Sequence, residues 1–134
     1  MATFLDANVL IYYLAEDEQR AARCSGLLSR LEAGEEIAVT SDMVFAEVVW
    51  VLSSRRPRPS RESIRDALAS IISFRGLNVP HKRLMLDALD LYAHTPIDFI
   101  DAYNATLMQK RGLDRVYSYD TDFDRVPGIT RVEP

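Results

Sequence analysis

Residues 36–52 read EIAVTSDMVFAEVVWVL, a strand-like segment followed directly by a helix-like one. The β-branched side chains over 36–41 favour an extended backbone. Ser41 or Asp42 is a typical N-cap residue, and the apolar run after it predicts a helix that continues to Leu52. A strand that leads straight into a helix is the building unit of a parallel α/β fold.

The same alternation of segments continues along the rest of the chain. Further strands are predicted over 3–5, 77–80, 114–120 and 128–133. Further helices are predicted over 9–15, 18–34, 60–74, 81–94 and 96–112. We therefore expect one α/β domain over residues 1–134, with right-handed βαβ units and a mostly parallel sheet covered by helices on both faces. In such sheets the functional residues lie beyond the carboxyl ends of the strands.

Composition is that of an ordinary globular protein, with 48% hydrophobic and 27% charged residues and a net charge of −4. Cys24 is the only cysteine, so the sequence excludes an internal disulfide. The apolar N-terminal stretch is only about ten residues long, too short to span a membrane, and no basic leader precedes it. We therefore expect a cytoplasmic protein with no membrane segment.

Arginine is concentrated in one segment. The chain has 14 arginines and two lysines, and RRPRPSRESIR at 55–65 is the densest basic stretch. One interpretation is a solvated loop between two helices. The other is a surface that binds phosphate, because a guanidinium pairs with phosphate oxygens through two parallel hydrogen bonds. The arginines concerned are Arg55, Arg56, Arg58, Arg61 and Arg65.

Acidic residues occur at the ends of two predicted strands and within an apolar run. Asp6 follows the first predicted strand and Asp120 ends VYSY, so a parallel sheet would bring both to one edge. Taken alone, each is better explained as a helix cap or turn residue. Glu47 interrupts MVFAEVVWVL, a run that otherwise looks built for burial. A buried carboxylate needs a cation, a proton or access to water; the alternative is a glutamate on a narrow exposed face.

Four further acidic residues have competing explanations. Asp101, in PIDFIDAYNATLMQKRG, shares a mostly apolar helix face with Asn104. Asp98 is explained as the capping-box acid for Thr95, with the helix beginning at Pro96. The remaining acids, in YDTDFDR, are open between ligand, cap and exposed turn; they are Asp122 and Asp124.

The donor types favour a hard divalent cation. Carboxylates from separate elements, with no histidine or cysteine cluster, are the ligands that Mg²⁺ and Mn²⁺ prefer. Zinc is disfavoured because His81, His94 and Cys24 show no ligand spacing. The sequence has neither a nucleophilic triad motif nor a glycine-rich phosphate loop. A metal–carboxylate site suits phosphoryl transfer.

Four segments together resemble the acidic motifs of PIN-domain ribonucleases, in order and spacing. They are TFLDANVLIYYL, VFAEVVWVL, PIDFIDAYNATLMQKRG and VYSYDTDFDRVPGITRVEP, which span nearly the whole chain. The size and layout look like the VapC toxins of type II toxin–antitoxin pairs. The resemblance implies a three-layer α/β/α sandwich around a central, mostly parallel sheet. It also implies endonucleolytic cleavage of RNA that depends on Mg²⁺ or Mn²⁺.

The resemblance also assigns roles to single residues. It places the catalytic, metal-binding quartet on Asp6, Glu47, Asp101 and Asp120, with Asp98 and Asp122 as accessory ligands. Asn8 and Ser118 fit the family pattern. Ala7 departs from it, because many members have a hydroxyl residue after the first aspartate. On this basis Arg55, Arg56, Arg58 and Arg61 are expected to bind RNA.

Two kinds of protein partner are predicted, one from the family resemblance and one from the amount of apolar surface. A VapC-type toxin implies a cognate antitoxin protein of the VapB type. The helices at 42–52 and 64–74 carry more apolar side chains than a small sheet can cover, including Phe45, Trp50 and Phe74, which predicts a homodimer.

Three alternatives stay open at this point. A phosphatase of the haloacid dehalogenase kind would need a second aspartate where Asn8 stands. A non-catalytic PIN-like binding module would tolerate loss of acidic positions, whereas all four are present here. A housekeeping RNA-processing nuclease would use the same residues as a toxin.

Overall fold

The structure is a computed structural model and describes residues 2–134. Within these residues the chain forms six α-helices, five short strands and one 3₁₀ helix. The helices are α1 (Ala7–Leu14), α2 (Ala21–Ala33), α3 (Asp42–Ser53), α4 (Arg61–Ile72), α5 (Lys82–His94), α6 (Phe99–Lys110) and the 3₁₀ helix Thr121–Arg125. The strands are β1 (Thr3–Phe4), β2 (Ala38–Val39), β3 (Leu77–Asn78), β4 (Arg115–Tyr117) and β5 (Thr130–Val132). The predicted alternation of strands and helices is confirmed.

The described residues divide into two compact units, an N-terminal unit ending at Lys82 and a C-terminal unit beginning at Arg83. The N-terminal unit contains a parallel sheet in the order β1-β2-β3, and the C-terminal unit contains the parallel pair β4-β5. Every strand pairing in residues 2–134 is parallel, which confirms the α/β class with parallel sheets. The described strands are divided between two sheets.

Gly76 closes the N-terminal sheet against the end of α2. Its amide donates to the Leu31 carbonyl at 2.8 Å, and its carbonyl accepts from the Ala38 amide at 2.8 Å. A Cβ atom at this position would lie 2.0 Å from the Glu36 carbonyl oxygen. The close approach of backbone to backbone therefore requires glycine here.

Helix α3 begins where its sequence predicts and buries one face. The Ser41 hydroxyl accepts from the Val44 amide at 3.4 Å, a weak N-cap hydrogen bond. The buried face of α3 includes Phe45 and Val48, and α3 packs against α1 and α4. Phe45 is 0% exposed, so its assignment to a surface that needs a partner was wrong.

The C-terminal unit packs aromatic side chains between α5 and α6. Tyr92 and Phe99 are buried and meet edge to face, with ring centroids 6.0 Å apart. Helix α6 begins at Phe99 with Asp98 as its N-cap residue, so the predicted start at Pro96 was wrong. The Ile97 amide instead donates to the Thr95 carbonyl at 2.8 Å, a tight turn that delays the helix.

None of the helices in residues 2–134 combines the length and the apolar character needed to cross a bilayer.

Candidate metal centre

Carboxylates converge where α6 begins and where the 3₁₀ helix follows β4. Asp98 precedes α6, Asp101 lies in its first turn, and Asp122 lies in the 3₁₀ helix. Each of the three offers an oxygen, and these oxygens all lie within 4.8 Å of one another. Asp101 also shares a hydrogen bond with Asp120. We call Asp98, Asp101, Asp120 and Asp122 the acidic cluster.

Short local hydrogen bonds hold the turn that carries Asp120 and Asp122. The Ser118 hydroxyl accepts from the Asp120 amide at 2.9 Å. The Asp120 carboxylate in turn accepts from the Asp122 amide at 2.9 Å and so caps the 3₁₀ helix. The cap interpretation of Asp120 is therefore correct, and it coexists with the contact to Asp101. Because the 3₁₀ helix packs against α6, the cap also sets where Asp122 lies.

Burial and the crowding of like charges both change the ionisation of Asp101. Burial raises its pKa to about 6, together with a hydrogen bond from the protonated Asp101 carboxyl to Asp120 and the negative charges of the other three cluster residues. Arg125 lies beside the cluster, with its guanidinium 3.8 Å from the Asp122 carboxylate. The same guanidinium donates to the Pro96 carbonyl at 2.8 Å.

The acidic cluster fits a hard divalent cation. Its donors are all carboxylate oxygens, the ligand type that Mg²⁺ and Mn²⁺ prefer. Asp101 and Asp122 are half-buried and Asp98 is exposed, which leaves room for water ligands. Burial and the neighbouring carboxylates both disfavour the charged form of Asp101, as its raised pKa shows, and a bound cation would favour that charged form.

Asp6 and Glu47 lie in the N-terminal unit. Asp6 occupies the N-cap position of α1 and is exposed, and its side chain makes no capping hydrogen bond. Capping therefore does not account for this aspartate. Asn8, in the first turn of α1, is also exposed. The structure brings the four aspartates of the acidic cluster together within the C-terminal unit; Asp6 and Glu47 belong to the other unit.

Glu47 is exposed, which resolves how a carboxylate fits into an apolar run. Met43, Glu47 and Trp50 lie on one face of α3, because positions i, i+4 and i+7 coincide around a helix. Met43 is 74% exposed and Trp50 is 69% exposed. The segment is thus buried on one face only, and Glu47 reaches water on the other.

The basic segment forms the loop between α3 and α4 and the start of α4. Arg55, Arg56 and Arg58 are exposed, and the Arg56 guanidinium donates to the Arg55 carbonyl at 2.9 Å. Arg61 lies in the first turn of α4 and is half-buried. Their role in binding RNA stays a prediction.

Sequence reasoning did not single out Arg125 or Arg131, both of which contact acidic residues of YDTDFDR. Arg125 follows Asp122 by three positions, a spacing that could have suggested the pair. Arg131 pairs with Asp124, seven residues earlier, at 3.1 Å. The Asp124 carboxylate is therefore bound to an arginine, and we do not count Asp124 among the candidate metal ligands.

The pKa of Asp101 predicts a pH-dependent stability in metal-free protein. An unfolded aspartate has a pKa of about 3.9, so a folded-state pKa near 6 stabilises the fold fully below about pH 4. That contribution is lost as the pH rises through about 6. Asp101→Asn should therefore gain stability relative to wild type between pH 4 and pH 7, measured by urea unfolding in EDTA. The matched control is Asp114→Asn, at an exposed aspartate outside the cluster. A stability difference that stays constant across this range would contradict the crowded-carboxylate arrangement.

Comparison with known proteins places the chain in a family. The sequence model of the PIN domain matches residues 3–129. A VapC ribonuclease of Mycobacterium bovis and ribonuclease VapC13 of Mycobacterium tuberculosis are each 26% identical over 132 residues, which cover 96% of this chain and 97% of the relative. Among solved structures, the sarcin–ricin loop cleaving toxin VapC20 of Mycobacterium tuberculosis is 24% identical, with coverage of 99% of this chain and 100% of that chain and a TM-score of 0.39. Since the PIN-domain match spans nearly the whole sequence, the chain belongs to the PIN-domain family.

Proposed function

We propose that the protein is a metal-dependent endoribonuclease that hydrolyses RNA phosphodiester bonds, the toxin of a VapBC-type toxin–antitoxin pair. The observation that carries the proposal is the acidic cluster, in which Asp98, Asp101 and Asp122 lie close enough to share one cation, within a chain of the PIN-domain family. Relatives that match over nearly their whole length bear the name ribonuclease. Residues 1–134 act together as one PIN domain in this proposal.

The ion is Mg²⁺ or Mn²⁺. Asp98, Asp101 and Asp122 supply its first ligands, and Asp120, which shares a hydrogen bond with Asp101, is a further ligand. Asp6 and Glu47 are the further acidic residues of the proposed catalytic set. When bound, a divalent cation supplies positive charge beside the reacting phosphate and makes water a better nucleophile at neutral pH.

The residues of the acidic cluster have different roles in metal binding and in the reaction. Asp101 holds a proton up to about pH 6 in the metal-free protein and must release it to act as a ligand. Asp120 and Asp122 are held in advance by the turn hydrogen bonds from Ser118 onward, so little ordering is needed when substrate binds. Exposure of Asp98 and Asp120 leaves the cluster open to an RNA backbone.

RNA is positioned by the basic loop. Arg55, Arg56 and Arg58 are exposed and can pair with successive phosphates, since each guanidinium presents a fork of donors. Arg61 extends the basic surface to the start of α4. Contacts of this kind to the phosphate backbone supply affinity and position the RNA.

The toxin assignment also brings partners and a compartment. A VapB-type antitoxin protein neutralises the nuclease, and both act in the cytoplasm. The protein forms a homodimer through α3, where Met43 and Trp50 expose apolar side chains on either side of Glu47. Two copies joined there would place their Glu47 side chains beside a shared groove.

Cleavage should depend on the acidic cluster and on metal. Asp101→Asn and Asp120→Asn should each lower the rate of cleavage of a labelled RNA in Mn²⁺ by at least about 100-fold, because removing a ligand should cost more than removing an outer hydrogen bond. EDTA should abolish cleavage by wild type. Asp114→Asn, purified in parallel, should cleave like wild type. Equal activity of all these proteins would mean that the nuclease is a contaminant and the proposed function is wrong.

The arginine loop should determine the salt dependence of RNA binding. Replacing Arg55, Arg56, Arg58 and Arg61 with Gln should flatten the plot of log affinity against log salt by about 0.7 for each phosphate that is no longer neutralised. Binding is measured in EDTA so that the RNA stays intact. The matched control replaces four exposed arginines elsewhere, Arg23, Arg75, Arg83 and Arg111, which changes the net charge equally. Equal slopes for the two variants would mean that the loop does not bind RNA phosphates and is only a solvated connection between α3 and α4.

The dimer should depend on Trp50. Light scattering at micromolar concentration should give twice the chain mass of 15.2 kDa for wild type. Trp50→Glu should give the monomer mass, because it would bury a charge in the apolar contact. Leu113→Glu places the same charge at an exposed leucine of the C-terminal unit and should leave the dimer intact. A monomeric wild type would contradict this assembly.

A further inference from the structure

The Arg131 side chain makes four hydrogen bonds in the C-terminal unit, although it lies outside the acidic cluster. It belongs to β5 and its side chain is only 15% exposed. Its guanidinium donates to both carboxylate oxygens of Asp124, at 3.1 and 3.3 Å. The third nitrogen donates to Glu133 at 2.7 Å and to the Ser118 carbonyl at 3.3 Å. One planar group thus joins β5, the 3₁₀ helix and the residue after β4.

These contacts lead to the acidic cluster through a short series of hydrogen bonds. Arg131 holds Ser118 by its carbonyl, while the Ser118 amide donates to the Val132 carbonyl at 3.1 Å. The Ser118 hydroxyl accepts from the amide of Asp120, and the Asp120 carboxylate accepts from the amide of Asp122. A series of hydrogen bonds therefore connects Arg131 to the two cluster aspartates that follow β4.

The Arg131 guanidinium forms ion pairs with two carboxylates that lie outside the acidic cluster. Asp124 is two positions from Asp122, and Glu133 is two positions from Arg131 itself. Both are bound to Arg131, and the set of carboxylates close enough to share a cation contains neither. Charge-assisted bidentate pairing of this kind fixes geometry as well as adding energy.

We propose that Arg131 is a positioning residue for the acidic cluster: its forked contacts with Asp124 and Ser118 set the turn that presents Asp120 and Asp122 to a divalent cation. This inference rests on the proposed metal-dependent function. A lysine cannot replace the arginine fully, because an ammonium group lacks the planar fork that reaches both partners.

Charge and position predict opposite effects on metal affinity. Arg131→Gln removes a positive charge from the neighbourhood of the cluster, so electrostatics alone would make cation binding tighter. Loss of positioning would make cation binding weaker, since removing the groups that hold metal ligands in place typically costs roughly 10- to 100-fold in affinity. Arg131→Lys keeps the positive charge and removes only the planar guanidinium with its forked hydrogen-bond donors.

The experiment measures Mn²⁺ affinity of the full-length protein at pH 7.5, by the electron paramagnetic resonance signal of free Mn²⁺ and well below the melting temperature. We expect Arg131→Gln to bind Mn²⁺ about 10- to 100-fold more weakly than wild type and Arg131→Lys about tenfold more weakly. Arg115→Gln, an exposed arginine of β4, is the matched control and should bind like wild type or slightly more tightly. Thermal melts in EDTA report the stability of each variant separately.

Each outcome supports or overturns the role of Arg131. Weaker Mn²⁺ binding by folded Arg131→Gln or Arg131→Lys supports positioning, and the lysine variant carries the test if the glutamine variant does not fold. A lower melting temperature with unchanged or tighter Mn²⁺ affinity shows a purely structural arginine and overturns the proposal alone. If wild type binds no Mn²⁺, the proposed function itself fails and this inference fails with it.

Discussion

The placement of a partly buried carboxyl, Asp101, among three other carboxylates is the constraint on which the acidic cluster of the C-terminal unit depends. The pKa of Asp101 is raised because burial removes solvent from its carboxyl, and because Asp120 shares a hydrogen bond with it and Asp120, Asp98 and Asp122 place negative charge around it. Such an arrangement costs folding free energy in the metal-free protein, so the surrounding backbone must hold it in place. The hydrogen-bonded turn after β4 and the first turn of α6 provide that support.

The aspartates at helix N-cap positions are of two kinds: one makes a capping hydrogen bond, and the others do not. Asp120 uses its carboxylate to cap the 3₁₀ helix, and this bond sets the direction of the turn. Asp6 and Asp98 stand at helix N-cap positions without making capping hydrogen bonds. A carboxylate at a helix N-terminus is stabilised by the helix dipole even without a cap, so these two side chains keep their oxygens available at little cost.

Arginine has three distinct roles in this chain, which its abundance in the sequence does not reveal. Arg55 and its neighbours lie in an exposed loop, where a guanidinium is accessible to phosphate. Arg125 stands beside the cluster and offsets part of the Asp122 charge. Arg131 is enclosed by acceptors and acts through the backbone. The differences arise from burial and from the acceptors within reach, not from the residue type.

The sequence by itself determined the order of strands and helices, a helix capped at Ser41 or Asp42, and the likeness of its acidic segments to a nuclease family. These features depend on local patterns: caps, periodicity and the spacing of motifs. Only the tertiary structure decided that α3 turns Phe45 inward and Glu47 to water, and that Asp98 joins Asp101 instead of serving a capping box. It also decided the pKa of Asp101, because burial and the charges of residues about twenty positions away act through space and leave no mark on the neighbouring sequence.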